Sequence, residues 1–209
     1  MRYRLLMLDV DSTLIDQEVI DELAKIAGLG DQVSEITSRA MAGELDFENA
    51  LRQRVRLLKG HSKEILTQVR AKITLTHGAE ELISTLHSLG VKVGIVSGGF
   101  EEVIAPLAGE LKLDFFRANR LAIDNGVLTG EVSGRIIGRH EKAEALRDFA
   151  KDSGVDISQT VAVGDGANDI EMIKSAGLGI AFCAKAVLRS EASVAIDVRD
   201  LRQVLDYFI

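Results

Sequence analysis

The sequence predicts an α/β fold in which a doubly wound parallel sheet carries a helical cap after its first strand and a small β-hairpin excursion. Short, continuously apolar runs alternate with helical patterns, which is typical of strands that are buried on both faces. The long segment 15–72, which follows the first apolar run, contains no strand pattern. An Asn-Gly pair between two extended runs indicates the hairpin.

The first strand is predicted at Leu5 to Leu8, an unbroken apolar run that stops at an aspartate. Similar runs follow between helical patterns, and they predict the rest of the parallel sheet. The predicted strands cover 91–96, 160–163, 178–181 and 194–196, and the clearest helices cover 79–89 and 141–152.

The segment 15–72 is predicted to be a cap made of successive helices, broken near Gly28-Leu29-Gly30, Gly43 and Gly60. The catalytic core is then expected to comprise 1–14 and 73–209. The hairpin is expected near 120–133, with Asn125-Gly126 at its turn.

The formal net charge of -7 disfavours a general affinity for nucleic acid or for an anionic membrane surface, because both require a basic face. No apolar stretch near the N-terminus is long enough for a signal segment or a membrane span. The single cysteine, Cys183, cannot form an intrachain disulfide, which fits a reducing, cytoplasmic location. A small anionic substrate stays compatible with this charge if local cations or a metal hold it. The protein is expected to be a monomer or a homodimer.

Polar residues directly follow three of the predicted strands, where ligands collect in open α/β sheets. These residues are Asp9 with Asp11, the run Ser97-Gly98-Gly99, which is predicted to start the next helix, and the run from Asp165 to Asp169. Clustered carboxylates repel one another, and a divalent cation such as Mg²⁺ removes that cost. Read separately, the first pair could be a solvated turn, Asn168-Asp169 a helix cap, and the glycines an ordinary turn into a helix.

Five further residues leave alternatives open from spacing alone. Lys142, which opens a helix, is either solvated or the cation that a phosphoryl group requires. Arg54 falls on the apolar face of its predicted helix with Phe47, so it either extends to solvent or faces an anion. Glu18 fits a first-turn glutamate that complements the helix dipole. Met41 and Phe47 are either core of the insertion or an apolar lid.

The motifs taken together resemble those of the haloacid dehalogenase superfamily of phosphotransferases. The resemblance covers nearly the whole chain. It is carried by DVDSTL at 9–14, SGG at 97–99, Lys142 and VGDGAND at 163–169, with supporting runs at LRQRVRLLKG from Leu51, IVSGGF from Ile95, ANRL from Ala118 and IAFCAK from Ile180.

The resemblance implies a division of labour between the first two aspartates. Asp9 would be the nucleophile that forms an aspartyl-phosphate, and Asp11 would serve as general acid and then general base. Mg²⁺ would be bound by Asp9, the carbonyl of Asp11 and Asp165. Asn168 and Asp169 would lie beside the ion, and Asn168 also at the substrate.

The resemblance also implies how a substrate would be held. The phosphoryl oxygens would contact Ser97, the Gly98 N–H and Lys142. Within the cap, Glu18 would pair with a substrate ammonium and Arg54 with its carboxylate, while Met41 and Phe47 close over the site.

The activity implied is Mg²⁺-dependent hydrolysis of O-phosphoserine to serine and phosphate, the last step of the phosphorylated route to serine. Two alternatives remain: an enzyme that acts on another small phosphate ester, and a signalling domain that accepts a phosphoryl group on aspartate.

Overall fold

A seven-stranded sheet lies at the centre of the chain, of which the computed structural model describes residues 2–209. Its order is β4-β3-β2-β1-β5-β6-β7, and neighbouring strands are parallel except for the antiparallel pair β3 and β4. The predicted α/β class is confirmed. The strands are β1 (Leu5–Leu8), β2 (Lys92–Phe100), β3 (Phe115–Asp124), β4 (Val127–Ser133), β5 (Thr160–Gly164), β6 (Leu178–Phe182) and β7 (Val194–Ile196).

Nine α-helices accompany the sheet within residues 2–209. Short helical turns also follow β1 at Val10–Leu14 and β5 at Ala167–Asp169. The helices are α1 (Val19–Ala27), α2 (Gly30–Met41), α3 (Phe47–Leu57), α4 (Glu64–Arg70), α5 (Ala79–Ser88), α6 (Glu101–Glu110), α7 (Arg139–Asp152), α8 (Ile170–Ser175) and α9 (Ala186–Arg189).

The first strand is buried on both faces, as its apolar run predicts. All four of its side chains are inaccessible to solvent. Leu6 and Leu8 belong to one hydrophobic cluster, whereas Leu5 and Met7 belong to another that includes residues of α7 and α8. Successive side chains of a strand point to opposite faces, so the two clusters are the two layers of a doubly wound fold.

Four helices, α1 to α4, fill the predicted insertion. Gly28 ends α1 with a φ of 72°, a left-handed conformation that glycine adopts without steric cost. The chain enters and leaves the insertion side by side, because Ile15 forms an antiparallel bridge with Leu75. The division into core and cap domains stays a prediction.

The hairpin turns at Asn125-Gly126, as predicted, and both residues have positive φ, at 49° and 81°. The antiparallel pairing spans Arg120 to Ser133, the range expected for the hairpin. Strand β3 begins at Phe115 and pairs in parallel with β2 before its second half pairs with β4. The hairpin therefore extends the edge of the main sheet.

The run Ser97-Gly98-Gly99 does not open a helix, which corrects the prediction. Strand β2 continues to Phe100, and α6 begins only at Glu101. The pairing of β2 with β3 shifts register between Val96 and Phe100. Here the Gly99 N–H donates to the Ser97 hydroxyl at 2.7 Å, so a side chain satisfies the backbone at this irregularity.

No helix within residues 2–209 combines the length and the apolarity needed to cross a bilayer.

Candidate active site

A cavity of about 810 Å³ lies where the carboxyl ends of β1, β2 and β5 face the helical insertion. Most of the predicted site residues line it: Asp9, Asp11, Glu18, Met41, Phe47, Arg54, Gly98, Asp165 and Asn168. The other three, Ser97, Lys142 and Asp169, are fully buried and bond to residues of the cavity wall or its supporting loop. The structure therefore brings all twelve predicted residues into one site.

Lys142 supports the floor of the cavity. Its Nζ donates to Asp9 Oδ1 at 2.6 Å and to Asp169 Oδ1 at 2.7 Å. Burial acts to lower the pKa of Lys142, but Asp169 and Asp9 outweigh that effect and raise it above its usual value. The ammonium is held charged, and the alternative of a solvated lysine is wrong.

Asp9 follows β1 and is 2% exposed. Its pKa is raised well above the usual range, first by burial and then by the charge of Asp169, against the opposing effect of Lys142. Asp165 and Asp11 add to the rise. One ammonium thus does not balance the negative charge gathered at this floor.

Asp11 lies in the turn Val10–Leu14, with an extended backbone at φ -64° and ψ 131°. Its Oδ1 accepts from the Val19 N–H at 2.8 Å and its Oδ2 from the Ser97 hydroxyl at 2.9 Å. Burial, followed by the charge of Glu18, raises the pKa of Asp11 to about 7. A carboxyl with this pKa can both give and take a proton near neutral pH.

A group of oxygen ligands for a cation is present at the same floor. Carboxylate oxygens of Asp9, Asp165 and Asp169 lie within 4.8 Å of one another. Burial, then Asp169, raises the pKa of Asp165 to about 6, so its negative charge is poorly compensated. Within residues 2–209 the Asp165 carboxylate accepts no hydrogen bond, whereas both oxygens of Asp169 are used by Lys142 and by two backbone N–H groups. This donor set fits a divalent cation that prefers oxygen.

Backbone approaches the cavity closely at Gly98. A Cβ at this position would lie 2.8 Å from Cζ of Phe47, so a larger residue would have to displace that ring. The Gly98 carbonyl accepts from the Asn119 side chain at 2.8 Å, and Asn119 in turn accepts from the Ile137 N–H at 2.7 Å. Asn119 is buried and fixes the glycine loop, a function that its place in ANRL did not reveal.

Arg54 lies on the cavity side of α3, as the helical spacing predicts. Among residues 2–209 no carboxylate lies within ion-pair distance of it, and its Nε donates only to the Ala50 carbonyl at 3.3 Å. Burial lowers the pKa of Arg54, opposed by the charges of Asp21 and Glu18. A half-buried guanidinium with unused donors is suited to an anionic ligand.

Glu18 is exposed and precedes the first residue of α1. Its carboxylate accepts from the Ser12 hydroxyl at 2.7 Å, which turns it toward the Asp11 loop. It therefore lines the same cavity as Arg54 with the opposite charge. The pair could hold the two charges of an amino acid.

Comparison with known proteins identifies the group to which the chain belongs. The family model described as haloacid dehalogenase-like hydrolase matches residues 3–177. The chain belongs to the haloacid dehalogenase-like hydrolase family.

Individual known proteins resemble the chain over almost its full length. The phosphoserine phosphatase of Lactococcus lactis is 50% identical over 203 residues, which covers 97% of this chain and 94% of that relative. A solved structure described as a phospho-aspartyl intermediate analogue of phosphoserine phosphatase has a TM-score of 0.93 and 46% identity, and it covers 99% of both chains. A substrate-bound phosphoserine phosphatase complex matches with the same TM-score and identity over 98% of both.

Other cavity residues of this family member were missed by sequence reasoning. Lys185 could have been found, because it closely follows β6 and the ends of strands were the guide elsewhere. Asp21 is one helical turn after Glu18 and shares its face. Thr37 and Arg139 carried no signal, since each lies in an ordinary helical pattern.

Proposed function

We propose that the chain is a Mg²⁺-dependent phosphoserine phosphatase, which hydrolyses O-phospho-L-serine to L-serine and phosphate. One observation carries this proposal: a single cavity joins a phosphoryl end at Asp9 and Asp11 to an amino-acid end at Glu18 and Arg54. The phosphoserine phosphatases named above, which align along the whole chain, support the same substrate.

Reaction begins with attack of an Asp9 carboxylate oxygen on phosphorus. The bond from phosphorus to the serine oxygen breaks as the aspartyl-phosphate bond forms, and Asp11 gives its proton to the departing oxygen. Serine leaves. Asp11, now ionised, takes a proton from water as that water attacks the phosphorus. The bond from phosphorus to the Asp9 oxygen breaks, which releases phosphate, and Asp9 is again a carboxylate and Asp11 again a protonated carboxyl group.

The surroundings of Asp11 and Asp9 suit the two carboxyl groups to different roles. The Val19 N–H and Ser97 hydroxyl hold the Asp11 carboxyl in place, and its pKa of about 7 allows it to carry a proton at neutral pH. Asp9 has the Lys142 ammonium on Oδ1, which acts against the rise in pKa that burial causes, and its Oδ2 has no partner within residues 2–209. The two aspartates differ in their neighbours rather than in their chemistry.

Asp9, Asp165 and the Asp11 carbonyl would bind Mg²⁺, whose positive charge offsets the charge of the phosphoryl oxygens during transfer. Asp169 and Asn168 support that group of ligands. Lys142, Ser97 and the Gly98 N–H would stabilise the phosphoryl group from the side of the sheet.

The helical insertion would select the substrate. The Arg54 guanidinium can donate two hydrogen bonds to a substrate carboxylate, and Glu18 can accept hydrogen bonds from the ammonium. Met41 is 76% exposed at the rim, so it is available to cover bound substrate together with Phe47. We further propose that this reaction supplies serine in the cytoplasm, with the protein acting as a monomer or homodimer.

Release of phosphate from a panel of monoesters tests the proposal. The panel comprises O-phospho-L-serine, O-phospho-L-threonine, phosphoethanolamine and glycerol phosphate, each with Mg²⁺ and with a chelator. We expect many turnovers on phosphoserine, a lower kcat/KM on the others, and loss of activity with chelator or in D9N. Equal rates on glycerol phosphate would indicate another ester, and a single equivalent of phosphate retained on the protein would indicate a signalling domain.

A further inference from the structure

Arg199, which follows β7 near the C-terminus, lies outside the residues that line the cavity yet bonds to the loop that carries the catalytic aspartates. Its guanidinium donates to four acceptors. They are Asp16 Oδ1 at 2.9 Å, the Ser12 carbonyl at 3.1 Å, Thr76 Oγ1 at 3.2 Å and the Ile15 carbonyl at 3.3 Å.

These acceptors belong to the two chain segments that connect the core with the helical insertion. Ser12, Ile15 and Asp16 lie on the outgoing segment, and Thr76 lies on the returning one. The two segments also bond directly, from the Asp16 N–H to the Thr74 carbonyl at 3.0 Å and from the Thr76 N–H to the Leu14 carbonyl at 2.9 Å. Arg199 therefore ties both segments together at the base of the insertion.

The contact with Ser12 links Arg199 to the reacting groups. Ser12 directly follows Asp11 and has a φ of 57°, a left-handed conformation that is unfavourable for a residue with a side chain. Its hydroxyl donates to Glu18 at 2.7 Å. A donor on the Ser12 carbonyl helps to hold this conformation, and it fixes the directions of Asp11 and Glu18 together.

We propose that Arg199 is a positioning residue, which orients Asp11 as proton donor and Glu18 as ammonium acceptor by holding the Ser12 carbonyl and the base of the insertion. The inference rests on the proposed phosphatase reaction. Lysine could not replace it fully, because its single ammonium cannot reach four acceptors that are spread over two segments.

Two substrates separate positioning from a general structural effect. O-Phosphoserine has a poor leaving group that needs the proton of Asp11, and its ammonium needs Glu18. p-Nitrophenyl phosphate needs neither, because its leaving group departs as a stable anion. The ratio kcat/KM reports steps up to the first irreversible one, so with the second substrate it reports attack by Asp9 alone.

The experiment measures kcat/KM for both substrates in wild type, R199Q, R199K and the control R202Q, at a temperature well below every melting transition. Arg202 is a matched control, since it lies three residues after Arg199 and bonds to Asp200 and to the His77 ring, but to none of the four acceptors of Arg199.

R199Q is expected to lower kcat/KM for phosphoserine by about tenfold or more, in keeping with the cost of a misplaced catalytic group. Its kcat/KM for p-nitrophenyl phosphate should stay near the wild-type value, R199K should fall between, and R202Q should match wild type. Equal losses on both substrates, or no loss, would overturn the proposal.

Failure of the proposed function would look different, because wild type itself would then not hydrolyse phosphoserine. In that case the alkyl phosphate that wild type cleaves best replaces phosphoserine. An alkyl ester still needs the proton of Asp11, so the same criteria decide whether Arg199 positions it.

Discussion

Lys142 donates a 2.6 Å hydrogen bond to Asp9, although the two side chains are only 0% and 3% exposed. They are 133 residues apart in sequence, and Lys142 reaches Asp169 as well. A buried ammonium between two carboxylates neutralises part of the charge on the proposed nucleophile. The same hydrogen bond therefore affects both the stability of the fold and the proposed catalysis.

Replacement of Lys142 by methionine should destabilise the metal-free protein by about 3–5 kcal/mol, because it leaves Asp9 and Asp169 buried without their cation. Denaturant unfolding in the presence of chelator measures this change. Lys151, exposed on the same helix, provides the control in K151M. Equal stabilities for the two variants would contradict the importance of the buried ion pair.

Replacement of Asp11 by asparagine should lower kcat/KM for phosphoserine by about 10²–10⁴, the usual contribution of a general acid. p-Nitrophenyl phosphate should still transfer its phosphoryl group to D11N and give a burst of one equivalent of nitrophenolate, followed by slow turnover because the general base is missing. Rapid-mixing absorbance records both phases. D206N, which changes an exposed aspartate, should behave as wild type.

Replacement of Arg54 by glutamine should reduce kcat/KM for phosphoserine by about 10- to 100-fold, since a charged hydrogen bond to the substrate carboxylate is lost. Phosphoethanolamine has no carboxylate, so its kcat/KM should change little. R52Q is the matched control, because Arg52 lies on the solvent side of α3 and pairs with Glu48. A similar loss on both substrates in R54Q would contradict recognition of the carboxylate.

Stabilisation by Mg²⁺ should increase with pH. Burial raises the pKa of Asp165 to about 6 and that of Asp11 to about 7, so the folded chain binds these protons more tightly than the unfolded chain does. Between about pH 4 and pH 7 these two groups therefore contribute less and less stability to the metal-free protein as pH rises. A cation favours the ionised carboxylates and offsets this loss.

Thermal unfolding with and without Mg²⁺, followed across that range, measures this dependence. The metal-induced rise in Tm should be small near pH 4 and largest above pH 7, and D165N should remove most of it. A rise in Tm that did not vary with pH would show that ionisation of Asp165 is not linked to binding of the ion.

Residues that follow apolar runs were predictable from sequence, because parallel strands bring their carboxyl ends to one edge. This reasoning found Asp9, Asp11 and Asp165 without any structure. It placed the helix after Ser97 too early, because the Ser97 hydroxyl satisfies the Gly99 N–H and the irregular strand continues.

Contacts between distant parts of the chain were not predictable in this way. Spacing alone did not decide whether Lys142 is solvated or contacts a phosphoryl group. Only the fold shows that its side chain is buried against Asp9. Asn119 and Arg199 act on backbone carbonyls, which leave no pattern in the side chains of the sequence. The approximate lengths of most strands and helices were predictable from the sequence, because the periodicity that defines them is local.

Covalent capture of phosphate on Asp9 tests the proposed mechanism most directly. Wild type and D9N are mixed with O-phosphoserine labelled in its phosphoryl group, in Mg²⁺, then quenched in acid within the first turnover and digested to peptides. Label on the peptide that contains Asp9 in wild type, with neither label nor turnover in D9N, is the predicted result. An active wild type that never carries label, or a D9N variant that retains full turnover, would contradict it.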